Sequence, residues 1–163
     1  MIFASVGSML PFDRLTTAVD EWAAEHPHIP VLIQIGEGAY QPRHAEWVRL
    51  MPHDLYLRRL AECTLFVAHA GIGSIVQALE ARKQLLMLPR LADWGEHTTN
   101  HQLHTVARFR GTPGLEIVDD APALKAAMTR LIDAPLTGHE AIAPYAPAAM
   151  TDRLRDYLSI RVS

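Results

Sequence analysis

The residues best suited to chemistry fall in four turns, each directly after an apolar run. The most distinctive is His69-Ala70-Gly71-Ile72-Gly73-Ser74, between the run 64–68 and a helix-like segment. Two glycines at a strand end allow backbone N–H groups to approach an anion, and the helix N-terminus that follows favours negative charge. A dinucleotide fingerprint would need a third glycine where Val76 stands, so a nicotinamide cofactor is not indicated. Ser74 and Gln77 also have the spacing of a capping box, which is a purely structural use of both. A second turn, Val6-Gly7-Ser8-Met9, offers close backbone approach and a hydroxyl, again suited to phosphate. It reads equally well as an ordinary strand-to-helix turn. The third is the long charged loop Pro89 to Asn100, leading into Asn100-His101-Gln102, polar side chains at a helix start that can bond sugar hydroxyls. Thr99 with Gln102 could be a further capping box. The fourth, Met51-Pro52-His53, could floor a nucleobase or be a plain turn.

Other chemistries find no support. No Ser-His-Asp, paired-cysteine or Walker-lysine pattern is present, and Asp13 lacks the acid cluster of a phospho-receiver. His97, His101 and His104 share one helical face by spacing. No carboxylate backs them, and His97 falls before the helix, so no metal is expected. A complete catalytic set is not visible.

These turns need a scaffold that gathers strand ends. The reading places strands at 2–6, 31–35, 47–51, 64–68, 85–88 and 116–118, and helices at 13–25, 54–61, 74–82, 98–109 and after Asp120. In the first helix Leu15, Ala18, Val19, Trp22 and Ala23 make one apolar face. Asp120 before Ala121 and Pro122 is a helix cap followed by a first-turn proline. Strands that are apolar throughout, alternating with helices, predict an α/β fold with a doubly wound parallel sheet, Rossmann-like. In such a sheet ligands sit beyond the carboxyl ends of the strands. Residues 1–133 are read as this domain, and 134–163 as a Pro- and Ala-rich connector with a last amphipathic helix at 150–158.

Composition agrees. The chain has 163 residues, half apolar, with a net charge of −3, which suits one globular domain. It shows no basic stripe, which argues against nucleic acid as a partner. The start MIFASVGSML reads as a first strand rather than a signal peptide. No apolar run nears the roughly 20 residues needed to span a bilayer. The lone Cys63 is read as a core thiol, in keeping with a reducing compartment.

Taken together, FVAHAGIGSIVQALEARKQLLMLPR and GEHTTNHQLHTVARF resemble the C-terminal domain of family 28 glycosyltransferases, the nucleotide-binding half of a GT-B enzyme. The whole chain is similar to small soluble subunits of split transferases. One is the eukaryotic subunit that adds the second GlcNAc to a dolichol-linked sugar. Leu88-Pro89-Arg90, Gly95-Glu96-His97 and Asn100-His101-Gln102 resemble bacterial exopolysaccharide subunits, some of which use UDP-glucuronate.

The resemblance implies roles by position. Gly7 and Ser8 would face the diphosphate, and His69, Gly71, Gly73 and Ser74 would present backbone and hydroxyl to the phosphates. Met51 and Pro52 would lie near uracil, and His101 and Gln102 would contact the donor sugar. Gln77 stands where many relatives carry a ribose-gripping Glu, and keeps the hydrogen bonding without the charge. Arg90, beside the sugar, could fork a glucuronate carboxylate or pair with Glu96 or Asp93.

The resemblance further implies an inverting, metal-independent transfer from a UDP-sugar to a lipid-linked saccharide. A membrane-associated partner would supply the catalytic base and recruit this chain to the inner face of the cytoplasmic membrane. A non-catalytic binding or regulatory subunit is the alternative. A sugar-nucleotide epimerase would need two domains in one chain, more than 163 residues allow.

Overall fold

The computed structural model describes residues 1–137 together with 152, 153 and 155. The strands are β1 (Ile2–Ser5), β2 (Val31–Gln34), β3 (Glu46–Val48), β4 (Leu65–His69), β5 (Leu85–Leu88) and β6 (Leu115–Ile117). The helices are α1 (Asp13–Glu25), α2 (His53–Glu62), α3 (Ile72–Glu80), α4 (His101–Phe109) and α5 (Ala121–Asp133). All neighbouring strands pair in parallel, in the order β3-β2-β1-β4-β5-β6. The order reverses between β1 and β4, which opens a crevice at their carboxyl ends.

The apolar strands divide their side chains between two cores. Ile2, Ala4, Ile33, Val67 and Leu86 face α1 and α5, with Trp22, Leu124 and Leu131. Phe3, Phe66, Leu85 and Met87 face the other side with Leu60, Ile75 and Val106. This is why the strands are continuous apolar runs: period-two alternation points successive residues to two faces, both dry. Cys63 is buried in the second core, where desolvation pushes its thiol up to about 11. Asp120 caps α5 as expected, its Oδ1 accepting from Ala123 N–H at 2.8 Å with Pro122 in the first turn.

Three local expectations are corrected. β3 ends at Val48 instead of running to residue 51, because Met51 N–H turns to the side-chain oxygen of Gln34 and Pro52 stands at the N-cap of α2. α3 begins at Ile72, with extended Gly71 as its N-cap, so Ser74 lies inside the helix and caps nothing. α4 begins at His101, with Asn100 as N-cap. Gln102 spends its oxygen on Arg90 N–H rather than on a capping box with Thr99. Of the expected C-terminal helix, Asp152, Arg153 and Arg155 are helical. The rest of it, and most of the connector before it, lies outside the described residues.

Candidate functional site

A cleft of ≈ 550 Å³ opens at the carboxyl ends of β1, β2, β4 and β5. Gly7, Ser8, Met51, His69, Gly73, Ser74, Gln77, Arg90 and Gln102 all line it. The turns singled out from the sequence thus converge on one place. Pro52 stands at the start of α2 beside it, and Gly71 packs on the His69 ring. His101 opens α4, but the sugar contact expected of its side chain lies outside the described residues.

The β1–α1 turn and the β4–α3 turn meet on His69. A Cβ on Gly7 would fall 2.8 Å from His69 Cε1, and one on Gly71 would fall 2.3 Å from Nε2. Gly7 also holds φ +82, a left-handed conformation that L side chains rarely adopt. The imidazole therefore fills a slot that two glycines leave open. Burial, followed by the nearby Arg90 cation, lowers His69 to about 4, so the ring is neutral at neutral pH. Its Nδ1 is buried with no hydrogen-bond partner. At the same place the first-turn N–H groups of α3 lack intrahelical acceptors, as in any helix.

Behind the cleft lies a polar relay that the sequence reading missed. Gln34 and Ser5 sit side by side in the β1–β2 register and are 4% and 1% exposed. Met51 N–H donates to Gln34 Oε1 at 3.1 Å, and Gln34 Nε2 donates to Ser5 Oγ at 3.4 Å. Gly7 N–H donates to the same Ser5 oxygen at 3.2 Å. The relay joins the Met51 turn to the Gly7 turn. Its one sequence signal is a glutamine inside the apolar run VLIQI, a polar side chain where a dry strand tolerates none without partners. His53 of the Met51-Pro52-His53 turn and His97 also line the cleft, and Tyr56 and Thr98 are lining residues not singled out before. Burial pushes Tyr56 up to about 12, so its phenol keeps its proton.

Arg90 departs from both roles foreseen for it. Its guanidinium donates to four backbone carbonyls, those of Val6, Leu10, Pro11 and Glu96, and lies 4.6 Å from the centre of the Phe12 ring. It is 2% exposed, with no fork left for a carboxylate. The Glu96 carboxylate is taken instead by Arg14, whose Nε and Nη2 donate to its two oxygens at 2.8 Å each. Sequence spacing suggested Arg90 because it is near in the chain. Arg14 reaches Glu96 only because α1 folds back beside the loop.

The electrostatics of the cleft are one-sided. Among the described residues no Asp or Glu lines it. Arg90 is the lining residue with a permanent positive charge, beside His53, His69 and His97. Burial draws Arg90 down to about 10, which leaves it charged at neutral pH. Among the described residues no group of three or more His, Cys, Asp or Glu is placed to hold a metal ion. Such a cavity suits an anion held by backbone N–H groups and helix ends.

No curated protein sequence matches the chain. Solved structures with the same fold do exist. The glycotransferase of kitacinnamycin gives a TM-score of 0.64 at 21% identity, over 82% of this chain and 35% of its own. ALG13, determined in solution by NMR, gives 0.60 at 16% identity, over 94% of this chain and 93% of its own. MurG of Acinetobacter baumannii gives 0.55 at 17% identity, over 80% of this chain and 40% of its own. The chain thus spans about a third of the kitacinnamycin protein's length but nearly all of ALG13's. These likenesses establish the fold, a Rossmann-like sheet of the kind found in GT-B C-terminal domains. The sequence supplies the family, because the glycosyltransferase family 28 C-terminal domain matches it over residues 1–143, and the chain belongs to that family.

Proposed function

We propose that this chain is the UDP-sugar-binding catalytic subunit of a two-component inverting glycosyltransferase. The observation that carries the reading is the cleft at the sheet's switch point. Two glycine turns and the start of α3 meet there, and among the described residues no acidic side chain lines it. A diphosphate would be repelled by carboxylates and held by helix-end N–H groups. Met51 and Pro52 are assigned to uracil, Gln77 to the ribose, Gly7, Ser8, His69, Gly71, Gly73 and Ser74 to the diphosphate, and His101 and Gln102 to the sugar.

In the reaction an acceptor hydroxyl oxygen attacks the anomeric carbon from the face opposite UDP. The bond from that carbon to the diphosphate oxygen breaks, and UDP leaves with the electron pair. The turns stabilise the negative charge that develops on the leaving group, which removes the need for a metal ion. The hydroxyl proton goes to a base. Among the described residues no carboxylate lines the cleft, and His69, lowered to about 4, is too weak a base at neutral pH. The base is assigned to a second subunit, as is the site for a lipid-linked saccharide acceptor of exopolysaccharide synthesis. No helix among the described residues is long and apolar enough to cross a membrane. Recruitment to the inner face of the cytoplasmic membrane is accordingly assigned to the same partner. Glucuronate remains one candidate donor sugar, without Arg90 as its selector.

The test is calorimetric titration of the chain, alone and with its membrane-associated partner, using UDP and a panel of UDP-sugars. Uptake of UDP and at least one UDP-sugar is expected, with transfer only in the presence of the partner. Absence of uptake in both preparations overturns the reading.

A further inference from the structure

The cleft has two walls that are remote in sequence, the β1–α1 turn at 6–12 and the β5–α4 loop at 89–100. One side chain is bonded to both. Arg90 Nη2 donates to Val6 O at 2.7 Å and Leu10 O at 2.6 Å. Its Nη1 donates to Pro11 O at 2.5 Å and, across the cleft wall, to Glu96 O at 2.9 Å. The Phe12 ring covers the guanidinium, and the Arg90 N–H is held by Gln102 Oε1 at 3.0 Å. A buried cation is costly unless its donors are satisfied, and here four carbonyls satisfy it.

We propose that Arg90 is a positioning residue that fastens the β1–α1 turn to the β5–α4 loop, holding the two walls of the cleft at one spacing. Lysine cannot replace it. An ammonium has three donors at one point, whereas the planar guanidinium spreads five over the width needed to reach both segments. The role is distinct from that of Arg14. Arg14 ties α1 to the loop through the Glu96 carboxylate and Pro89 O, and touches no carbonyl of the β1–α1 turn. That second fastening keeps the loop docked when Arg90 is replaced, so Arg90→Lys is expected to fold.

For ligand binding the inference rests on the UDP reading above, because the turn at Gly7 and Ser8 is assigned to the diphosphate. The uracil and ribose contacts at Met51 and Gln77 do not pass through Arg90. Two measurements on native protein and Arg90→Lys separate the possibilities. In titrations, Arg90→Lys is expected to bind UDP roughly tenfold or more weakly and uridine within about threefold of native. Equal losses for both ligands, or none for either, overturn the positioning role and leave the UDP reading standing. Native protein that takes up neither UDP nor uridine, alone or with its partner, overturns the UDP reading instead.

Amide hydrogen exchange without ligand then decides the positioning role by itself. Peptides covering 7–12 and 90–97 should both exchange faster in Arg90→Lys, with the strands unchanged. Unchanged exchange in either peptide overturns the role. If Arg90→Lys does not fold, exchange of the native protein in rising denaturant gives the answer. The two segments should open together with one denaturant dependence, and separate openings overturn the proposal.

Discussion

The slot around His69 makes a prediction that can be worked from coordinates. Gly71 has φ −91 and ψ 143, extended backbone that any residue adopts, so replacing it carries no conformational penalty of its own. The obstacle is the imidazole. An alanine Cβ at 71 would lie 2.3 Å from His69 Nε2, and ordinary contact begins near 3.4 Å, so something must move by 3.4 − 2.3 = 1.1 Å. On its other side the ring is packed close against Gly7, where a Cβ would fall 2.8 Å from Cε1, so it has near neighbours on both sides. Overpacking of this kind costs about 1–3 kcal/mol.

Gly71→Ala should therefore lower the unfolding free energy by that amount, read as a lower urea midpoint at unchanged m. In a His69→Ala background the ring is gone and Gly71→Ala should be nearly neutral. The double-mutant cycle should show a coupling of about 1–3 kcal/mol. Four urea curves measure it. A coupling below about 0.5 kcal/mol would refute the steric account, because distant, independent sites add to within that margin. On the proposed function, the same 1.1 Å displacement of the α3 start also weakens UDP far more than uridine.

Two further outcomes are expected. His69 is lowered from 6.5 to about 4, so the unfolded chain binds a proton there that the folded one refuses. The His69 contribution to stability should be flat above pH 6.5 and fall as pH drops from about 6.5 to about 4, with a slope approaching about 1.4 kcal/mol per pH unit. In His69→Gln that part of the slope should vanish, and a native-minus-variant difference that is level across the window would count against a buried neutral imidazole. Glu96→Gln leaves Arg14, 12% exposed, without a counter-charge for a carboxylate that was 9% exposed, and should cost about 3 kcal/mol in denaturant melts. A loss under about 0.5 kcal/mol would show that the pair does not hold the loop.

Much of this molecule was legible in its linear pattern. The runs LFVA and LLML are apolar on both sides of the pleat because both sheet faces are covered, so the doubly wound class could be read from them directly. The glycines could be read as site markers because a glycine turn after a buried strand is where backbone can approach a ligand. Asp120-Ala121-Pro122 could be read as a helix start because a cap is a local interaction spanning three residues.

What escaped the reading is everything that depends on which distant segments become neighbours. Ser74 and Gln102 matched capping spacings, but both helices start elsewhere and Gln102 serves Arg90. Arg90 was matched with acids near it in the chain, whereas its partners are four carbonyls, three of them some 80 residues away on the first turn. Gln34 was read only as part of the second strand, and it joins two turns of the cleft. The physical reason is the range of the interactions. Periodicity and capping act within a few residues, so the chain order alone decides the class of fold and the places where backbone can bind. Hydrogen bonds between buried side chains and remote carbonyls form only after the sheet has brought strand ends together, so the roles of Arg90, Glu96 and Gln34 were settled by the tertiary structure.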